Sequence, residues 1–146
     1  MSDFDMNPIY LVANGDFRLA VNQACWQAQS ELEQKIITAV KTLGGAVQRA
    51  HPYNAAQQHG FIDSQKYGME IFKTIPPDAP VIVAIAAEQH SQHVLAGLMA
   101  HAGPLLIVAH WNGRQRGIGG MLNLNAALAK AGVAYSALWS ENFDDP

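Results

Sequence analysis

The chain has 146 residues, of which 49% are apolar and 14% are charged, and its formal net charge is −3. This length fits one domain with one sizeable core. Lys and Arg are scattered without forming a stripe, which argues against binding to nucleic acid or to a membrane surface. The low charged fraction leaves two interpretations open. Either more of the same chain or sister subunits cover part of the surface, or this is a plain, modestly soluble domain.

The cysteine content and the first residues of the chain limit the kinds of site and the cellular location that the sequence predicts. Cys25 is the only cysteine, so an internal disulfide is impossible and a thiolate zinc site is disfavoured. No basic segment followed by an apolar run indicates a secretory signal, and no apolar stretch approaches the ~20 residues that cross a bilayer. The sequence therefore predicts a cytoplasmic location.

Short apolar runs alternate along the chain with longer segments of helical period. Glycine pairs and prolines separate these segments, and the polar stretch 50–62 has no regular period. Asp63 or Ser64 is a candidate N-cap for the second helix. The predicted elements, in chain order, are strand 9–13, helix 19–43, strand 46–49, helix 64–73, strand 81–85, helix 91–100, strand 105–109, helix 120–131 and strand 134–139.

Continuous apolar strands separated by helices indicate a parallel sheet that is covered on both faces. We therefore predict an α/β, doubly wound, five-stranded parallel sheet in a flavodoxin-like (Rossmann-like) three-layer sandwich, with strand order 2-1-3-4-5 favoured. A domain of this kind normally adds a helix after its fifth strand, whereas this sequence ends shortly after strand 134–139. We therefore expect residues 1–146 to be a single domain of a longer chain.

The first candidate site follows the first strand, because ligands of open α/β sheets lie at the carboxyl ends of the strands. Asp16 and Arg18 stand there, just before the long helix. In one interpretation Asp16 is a helix cap and Arg18 a solvent-facing charge. In the other, Arg18 donates hydrogen bonds to sugar hydroxyls while Asp16 orients it.

The second candidate site follows the third strand, where Glu88, His90 and His93 occur close together. Two histidines three residues apart can share a helix face, so a metal site is one interpretation. Neither Ser91 nor Gln92 adds a ligand of the usual kind. Hydrogen bonding to a polyol or to a neighbouring subunit is the favoured alternative.

The third candidate site is the glycine-rich segment 110–120 after the fourth strand, with Trp111, Asn112 and Arg114. Its glycines would let the backbone approach a ligand, and helix amides would favour an anion or a hydroxyl oxygen. Nucleotide binding is disfavoured, since the P-loop and dinucleotide spacings both fail. Trp111 either stacks on a sugar ring or fills a gap between helix and sheet. Cys25 lies on the apolar stripe of the long helix and is interpreted as a core residue.

Several segments resemble one enzyme family. After Asn112-Gly113 and Gly117 come Met-Leu-Asn-Leu-Asn-Ala-Ala-Leu-Ala-Lys-Ala-Gly at 121–132 and Tyr-Ser-Ala-Leu-Trp-Ser at 135–140. This order resembles the amino-terminal region of L-fucose isomerases and their L-fucose/L-arabinose-isomerase relatives. Asn-Gly-Asp-Phe-Arg at 14–18, leading into a long helix, is similar to the Arg-containing turn near the start of the same enzymes.

The resemblance implies an oligomeric, Mn²⁺-dependent aldose–ketose isomerase that transfers a proton between C1 and C2 through an enediol. In that family the metal ligands and acid/base carboxylates lie in later domains, while the amino-terminal domain packs on the oligomer. It also lends side chains to a neighbouring subunit's sugar pocket, and Arg18 matches that motif best. The family loop at the position of residues 88–93 carries a substrate-stacking tryptophan, which this sequence lacks.

We therefore expect this chain to hold no catalytic residue and no metal ligand, and to be inactive alone. Its expected partners are the remaining domains, sister subunits and a sugar. Two alternatives stay open: a stand-alone flavodoxin-like module that binds a small molecule or a subunit, and an enzyme that uses His90 and His93 with a metal. The expected substrate-binding residues are Asp16, Arg18, His90, His93, Trp111, Asn112 and Arg114.

Overall fold

The computed structural model describes residues 8–86, 92–110, 117–141 and 143. Its strands pair in parallel in the order β2-β1-β3-β4-β5. This is the predicted doubly wound, flavodoxin-like arrangement. The strands are β1 (Ile9–Val12), β2 (Val47–Arg49), β3 (Val81–Ile85), β4 (Leu105–His110) and β5 (Ser136–Ser140).

Four helices connect these strands, and three of them begin at residues other than the predicted ones, α2 by a single residue. The helices are α1 (Leu19–Thr42), α2 (Gln65–Phe72), α3 (Leu95–Ala100) and α4 (Gly117–Lys130). Helix α3 begins later than the predicted residue 91 because residues 93 and 94 form a turn. Helix α4 begins three residues before the predicted Gly120. A Cβ atom at Gly117 would lie 2.4 Å from the carbonyl oxygen of Ile85 and 2.6 Å from that of His110, so only glycine fits there.

The sheet is buried on both faces, which explains the continuous apolar character of its central strands. Alternate residues of β3 point to opposite faces, so Val81, Val83 and Ile85 pack in one core and Ile82 and Ala84 in the other. The first core is closed by α2, α3 and α4, and the second by α1. These are the three layers that the sequence predicted.

Strand β5 lies at one edge of the sheet and is mostly exposed. It begins at Ser136, two residues after the predicted start, where it pairs with Leu106. Trp139 belongs to this strand, and it is 55% exposed. Among the described residues, no helix has both the length and the apolar character needed to cross a membrane.

Candidate functional site

A backbone bridge aligns two loops at the carboxyl edge of the sheet. The N–H of Gly15 donates to the carbonyl of Ile62 at 2.8 Å, and the N–H of Ile62 donates to that of Ala13 at 2.8 Å. The loops approach so closely that a Cβ atom at Gly15 would lie 2.4 Å from the Cβ of Phe61. Residues 13–16 and 61–63 therefore emerge side by side, and Asp63 joins the edge that carries Asp16.

Asp16 holds Arg18 in one orientation. Its Oδ1 accepts hydrogen bonds from the backbone N–H of Arg18 at 2.9 Å and from Nε at 2.8 Å, and its Oδ2 accepts from Nη2 at 3.1 Å. The Asp16 side chain is 4% exposed and that of Arg18 is 58% exposed. Asp16 thus orients an Arg18 guanidinium that remains exposed to solvent, and the binding of a sugar there stays a prediction.

Asp16 does not serve as the cap of α1. The N-cap position of that helix is Arg18, which makes no side-chain cap hydrogen bond. Asn22 instead fixes the backbone of Asp16, because its Oδ1 accepts from the Asp16 N–H at 2.8 Å and its Nδ2 donates to the Asp16 carbonyl at 2.7 Å. The hydrogen bond from the Arg18 side chain is the main cause that lowers the pKa of Asp16, against the opposing effect of burial.

Exposed apolar residues precede and follow Arg18 in the chain. Phe17 is 72% exposed and Leu19 is 45% exposed. The Arg18 guanidinium carbon lies 5.5 Å from the centre of the Phe17 ring, which is within cation–π distance. The exposed cation is therefore in contact with an exposed aromatic ring.

His93 lies near both carboxylates of this edge. Its Nε2 is enclosed and has no hydrogen-bond partner among the described residues. Burial lowers the pKa of His93, while the charges of Asp63 and Asp16 oppose that shift. We call Asp16, Arg18, Asp63 and His93 the carboxyl-edge cluster. The structure thus brings together Asp16, Arg18 and His93, which the sequence placed at two separate strand ends. Asp63, which the sequence did not single out as a ligand, joins them.

Two buried histidines, which the sequence analysis did not identify, accept hydrogen bonds from the backbone of the two loops that form this edge. His51 follows β2, and its Nε2 accepts a hydrogen bond from the backbone N–H of Ala13 at 3.1 Å. His59 accepts from the N–H of Phe61 through Nδ1 at 3.1 Å, and its Nε2 lies 3.8 Å from Oδ2 of Asp63. Burial lowers the pKa of His59, and it lowers the pKa of His51 to about 3. The position of His51 at a strand end was the signal that could have identified it.

A buried polar network lies under the cluster, between α1 and the sheet. Gln29 donates to the carbonyl of Ala84 at 3.0 Å and accepts from the N–H of Ala86 at 3.1 Å. It also donates to Glu33 at 3.0 Å, and Glu33 in turn accepts from Arg49. Because these bonds connect α1 to the end of β3 through Gln29 and to β2 through Glu33 and Arg49, this network fixes the carboxyl ends of β2 and β3 against α1.

Four of the predicted site residues cannot be compared with the structure. His90, Trp111, Asn112 and Arg114 lie outside the described residues, as does Glu88. Within residues 8–86, 92–110, 117–141 and 143, no three His, Cys, Asp or Glu side chains are arranged to hold a metal ion.

Comparisons of the chain with protein-family models, with curated proteins and with solved structures gave no match.

Proposed function

We propose that this chain is the amino-terminal domain of an aldose–ketose isomerase of the L-fucose/L-arabinose-isomerase type. In this proposal the domain packs against a sister subunit and contributes to that subunit's sugar pocket. The observation that carries the proposal is the Asp16–Arg18 pair, in which a carboxylate that is 4% exposed holds a guanidinium that is 58% exposed.

The chemistry of this pair suits a sugar. An arginine has five N–H donors in a fixed plane, and Asp16 uses two of those on Arg18. The remaining donors face outward and can bind the hydroxyl oxygens of a polyol. Since the pair is formed before a ligand arrives, the side chain loses little conformational freedom on binding.

The surroundings of Arg18 support the subunit contact. Phe17 and Leu19 are exposed on either side of it, so covering this turn would bury apolar surface and would shield the guanidinium from water. His93 adds an enclosed nitrogen that has no partner among the described residues, and a hydroxyl group can supply that partner.

Mn²⁺ supplies, when bound, the polarisation of carbonyl and hydroxyl oxygens that an enediol reaction needs. No step through the metal is assigned to this chain, because its described residues do not form a metal site. In the proposal these residues bind and orient the sugar, and the acid/base carboxylates belong to later parts of the protein. The chain alone is then inactive.

The test uses the protein encoded by the whole reading frame that contains this chain. That protein is expected to interconvert L-fucose or L-arabinose with the corresponding ketose in the presence of Mn²⁺. Arg18→Ala is expected to lower kcat/KM about 100-fold, because it removes a hydrogen bond to a charged group that contributes about 3 kcal/mol. Arg18→Lys should recover part of the lost kcat/KM. A reading frame that stops directly after Pro146, or activity that Arg18→Ala leaves unchanged, would contradict the proposal.

A further inference from the structure

A groove of about 580 Å³ lies beside the carboxyl-edge cluster, between the loop after β2 and the start of α2. This volume is within the range of small-molecule sites in proteins. Its walls combine aromatic and polar side chains, which include Tyr53, Gln57, Phe61, Asp63 and Tyr67. Arg18 and Asp16 do not line it, so it is a separate site from the one proposed above.

One wall of the groove is the aromatic ring of Tyr53, which packs against the ring of Trp26. Tyr53 is 49% exposed, and its ring centre lies 5.5 Å from that of Trp26. Trp26 also packs edge-on against Phe61 at 5.4 Å, and the Arg49 guanidinium lies 5.3 Å from the Trp26 ring centre. A half-exposed ring that is supported in this way can bind an apolar ligand face without first being ordered.

The groove is also lined by the carboxylate of Asp63, which lies near the buried imidazole of His59. Because Nδ1 of His59 accepts the N–H of Phe61, the neutral ring carries its proton on Nε2. That nitrogen lies 3.8 Å from Oδ2 of Asp63, while the Asp63 side chain remains 31% exposed. Asp63 therefore has acceptor capacity left for a ligand.

The other polar groups of the groove add hydrogen-bond donors to the acceptor oxygens of Asp63. Gln57 uses its side-chain oxygen to accept from Asn54 at 3.2 Å, so its amide N–H₂ is a donor available to a ligand. Tyr53 and Tyr67 contribute hydroxyl groups, each able to donate and to accept. Among the described residues, none of these three groups donates to a protein acceptor.

These hydrogen-bond donors and acceptors determine which class of ligand the groove can bind. An ionised carboxylate only accepts and an amide N–H₂ only donates, so the ligand must do both. An ammonium cannot accept from Gln57, and the charge of Asp63 repels a phosphate or a carboxylate. Hydroxyl groups meet both requirements, and the C–H face of a sugar ring matches the aromatic wall. We propose that the groove formed by Tyr53, Gln57, Asp63 and Tyr67 is a binding site for a neutral monosaccharide, distinct from the Arg18 surface.

The test is saturation-transfer-difference NMR on the 146-residue chain, with L-fucose and D-glucose as sugar probes and tetramethylammonium and inorganic phosphate as charged probes. We expect sugar signals, together with a shift of the Trp26 indole N–H in the unmodified chain. Tyr53→Ala and Asp63→Asn should each weaken sugar binding about tenfold, as expected for about 1.4 kcal/mol of lost contact. Glu70→Gln, an exposed carboxylate on α2, is the matched control and should bind as the unmodified chain does.

Several outcomes would overturn the inference. One is the lack of any sugar signal or Trp26 shift, and another is stronger binding of either charged probe than of both sugars. A third is sugar binding that Arg18→Ala abolishes while Tyr53→Ala and Asp63→Asn leave it intact. This last result would place the sugar at Arg18, so it would leave the proposed function standing while it removes the groove as a site.

Discussion

Arg49 of β2 and Glu33 of α1 form an enclosed ion pair at the base of the carboxyl-edge cluster. The Glu33 side chain is 4% exposed and that of Arg49 is 22% exposed. The same guanidinium donates to the carbonyl of Gly60 at 2.7 Å and to that of His51. One cation therefore joins the edge strand, the long helix and the loop that leads to Asp63.

Removing either partner of this pair should destabilise the fold strongly. Glu33→Ala and Arg49→Ala are each expected to lower the free energy of unfolding by about 3 kcal/mol, because each leaves the other charge enclosed and unpaired. Urea unfolding at neutral pH measures this loss. Glu31→Ala, an exposed carboxylate on the same helix, should change stability by less than about 0.5 kcal/mol. Equal losses for Glu31→Ala and Glu33→Ala would refute the structural role of the pair.

A second prediction concerns the acid side of the stability curve. His51 accepts a hydrogen bond from Ala13 through Nε2, which requires the neutral ring, and burial lowers its pKa from 6.5 to about 3. The unfolded chain takes up this proton first as the pH falls below 6.5. Stability is therefore complete above that pH and falls by about 1.4 kcal/mol per pH unit below it, until the folded ring titrates. Burial lowers the pKa of His59 and His93 as well, so both contribute with the same sign.

The measurement has two parts. NMR should show that the His51 ring keeps its neutral chemical shifts from pH 7 to pH 5. His51→Gln, which keeps an acceptor and does not titrate, should show a smaller loss of stability over the same range. A His51 ring that titrates near 6.5 would count against the predicted pH dependence.

The sequence predicted the layers and the strand order because those depend on local patterns and on general rules of chain connection. Apolar runs such as 81–85 and 105–109 define strands buried on both faces, and the helical pattern from residue 19 defines α1. At α4 the predicted start was three residues late, because close contact of Gly117 with two strand ends decides where the helix begins. Such contacts depend on the folded sheet, so no local pattern contains them.

The site was predicted less completely, for the same reason. Asp16, Arg18 and His93 were selected because they follow strands, and the structure brings these three together. Asp63 or Ser64 was expected to cap α2, and Ser64 does so by accepting the N–H of Tyr67 at 3.1 Å, while Asp63 was not expected in a site. Its place in the cluster depends on the bridge between Asn14 and Ile62, which joins residues far apart in sequence. The roles of all the predicted ligand-binding residues stay predictions.

The Asp16–Arg18 contact provides a third prediction. The hydrogen bond from the Arg18 side chain is the main cause that lowers the pKa of Asp16, so Arg18→Ala should raise that pKa, because this bond and the Arg18 charge are lost while the effect of burial remains. Carbon-13 NMR of the Asp16 carboxyl group measures the change. A lowered folded pKa stabilises above the unfolded value and is lost as the pH falls, so the variant should also show a weaker acid dependence of stability. Lys66→Ala removes an exposed cation and serves as the control. An Asp16 pKa that is equal in both variants would refute the contact.

Gly68 of α2 provides the last prediction, in which two physical effects have opposite signs. Helix propensity alone favours Gly68→Ala by about 1 kcal/mol. A Cβ atom there, however, would lie 2.2 Å from the carbonyl oxygen of His93, a backbone atom that cannot turn aside. We expect this contact to dominate, so the variant should lose about 1–3 kcal/mol in urea unfolding.

The same substitution should move the segment that carries His93. The His93 ring signals should therefore shift in the variant, whereas Lys66→Ala, which lies on the exposed side of α2, should leave both stability and ring signals unchanged. If Gly68→Ala instead raises stability and leaves the His93 signals in place, α2 does not pack against this segment as described. The carboxyl-edge cluster would then lack the contact that holds His93 beside Asp16 and Asp63.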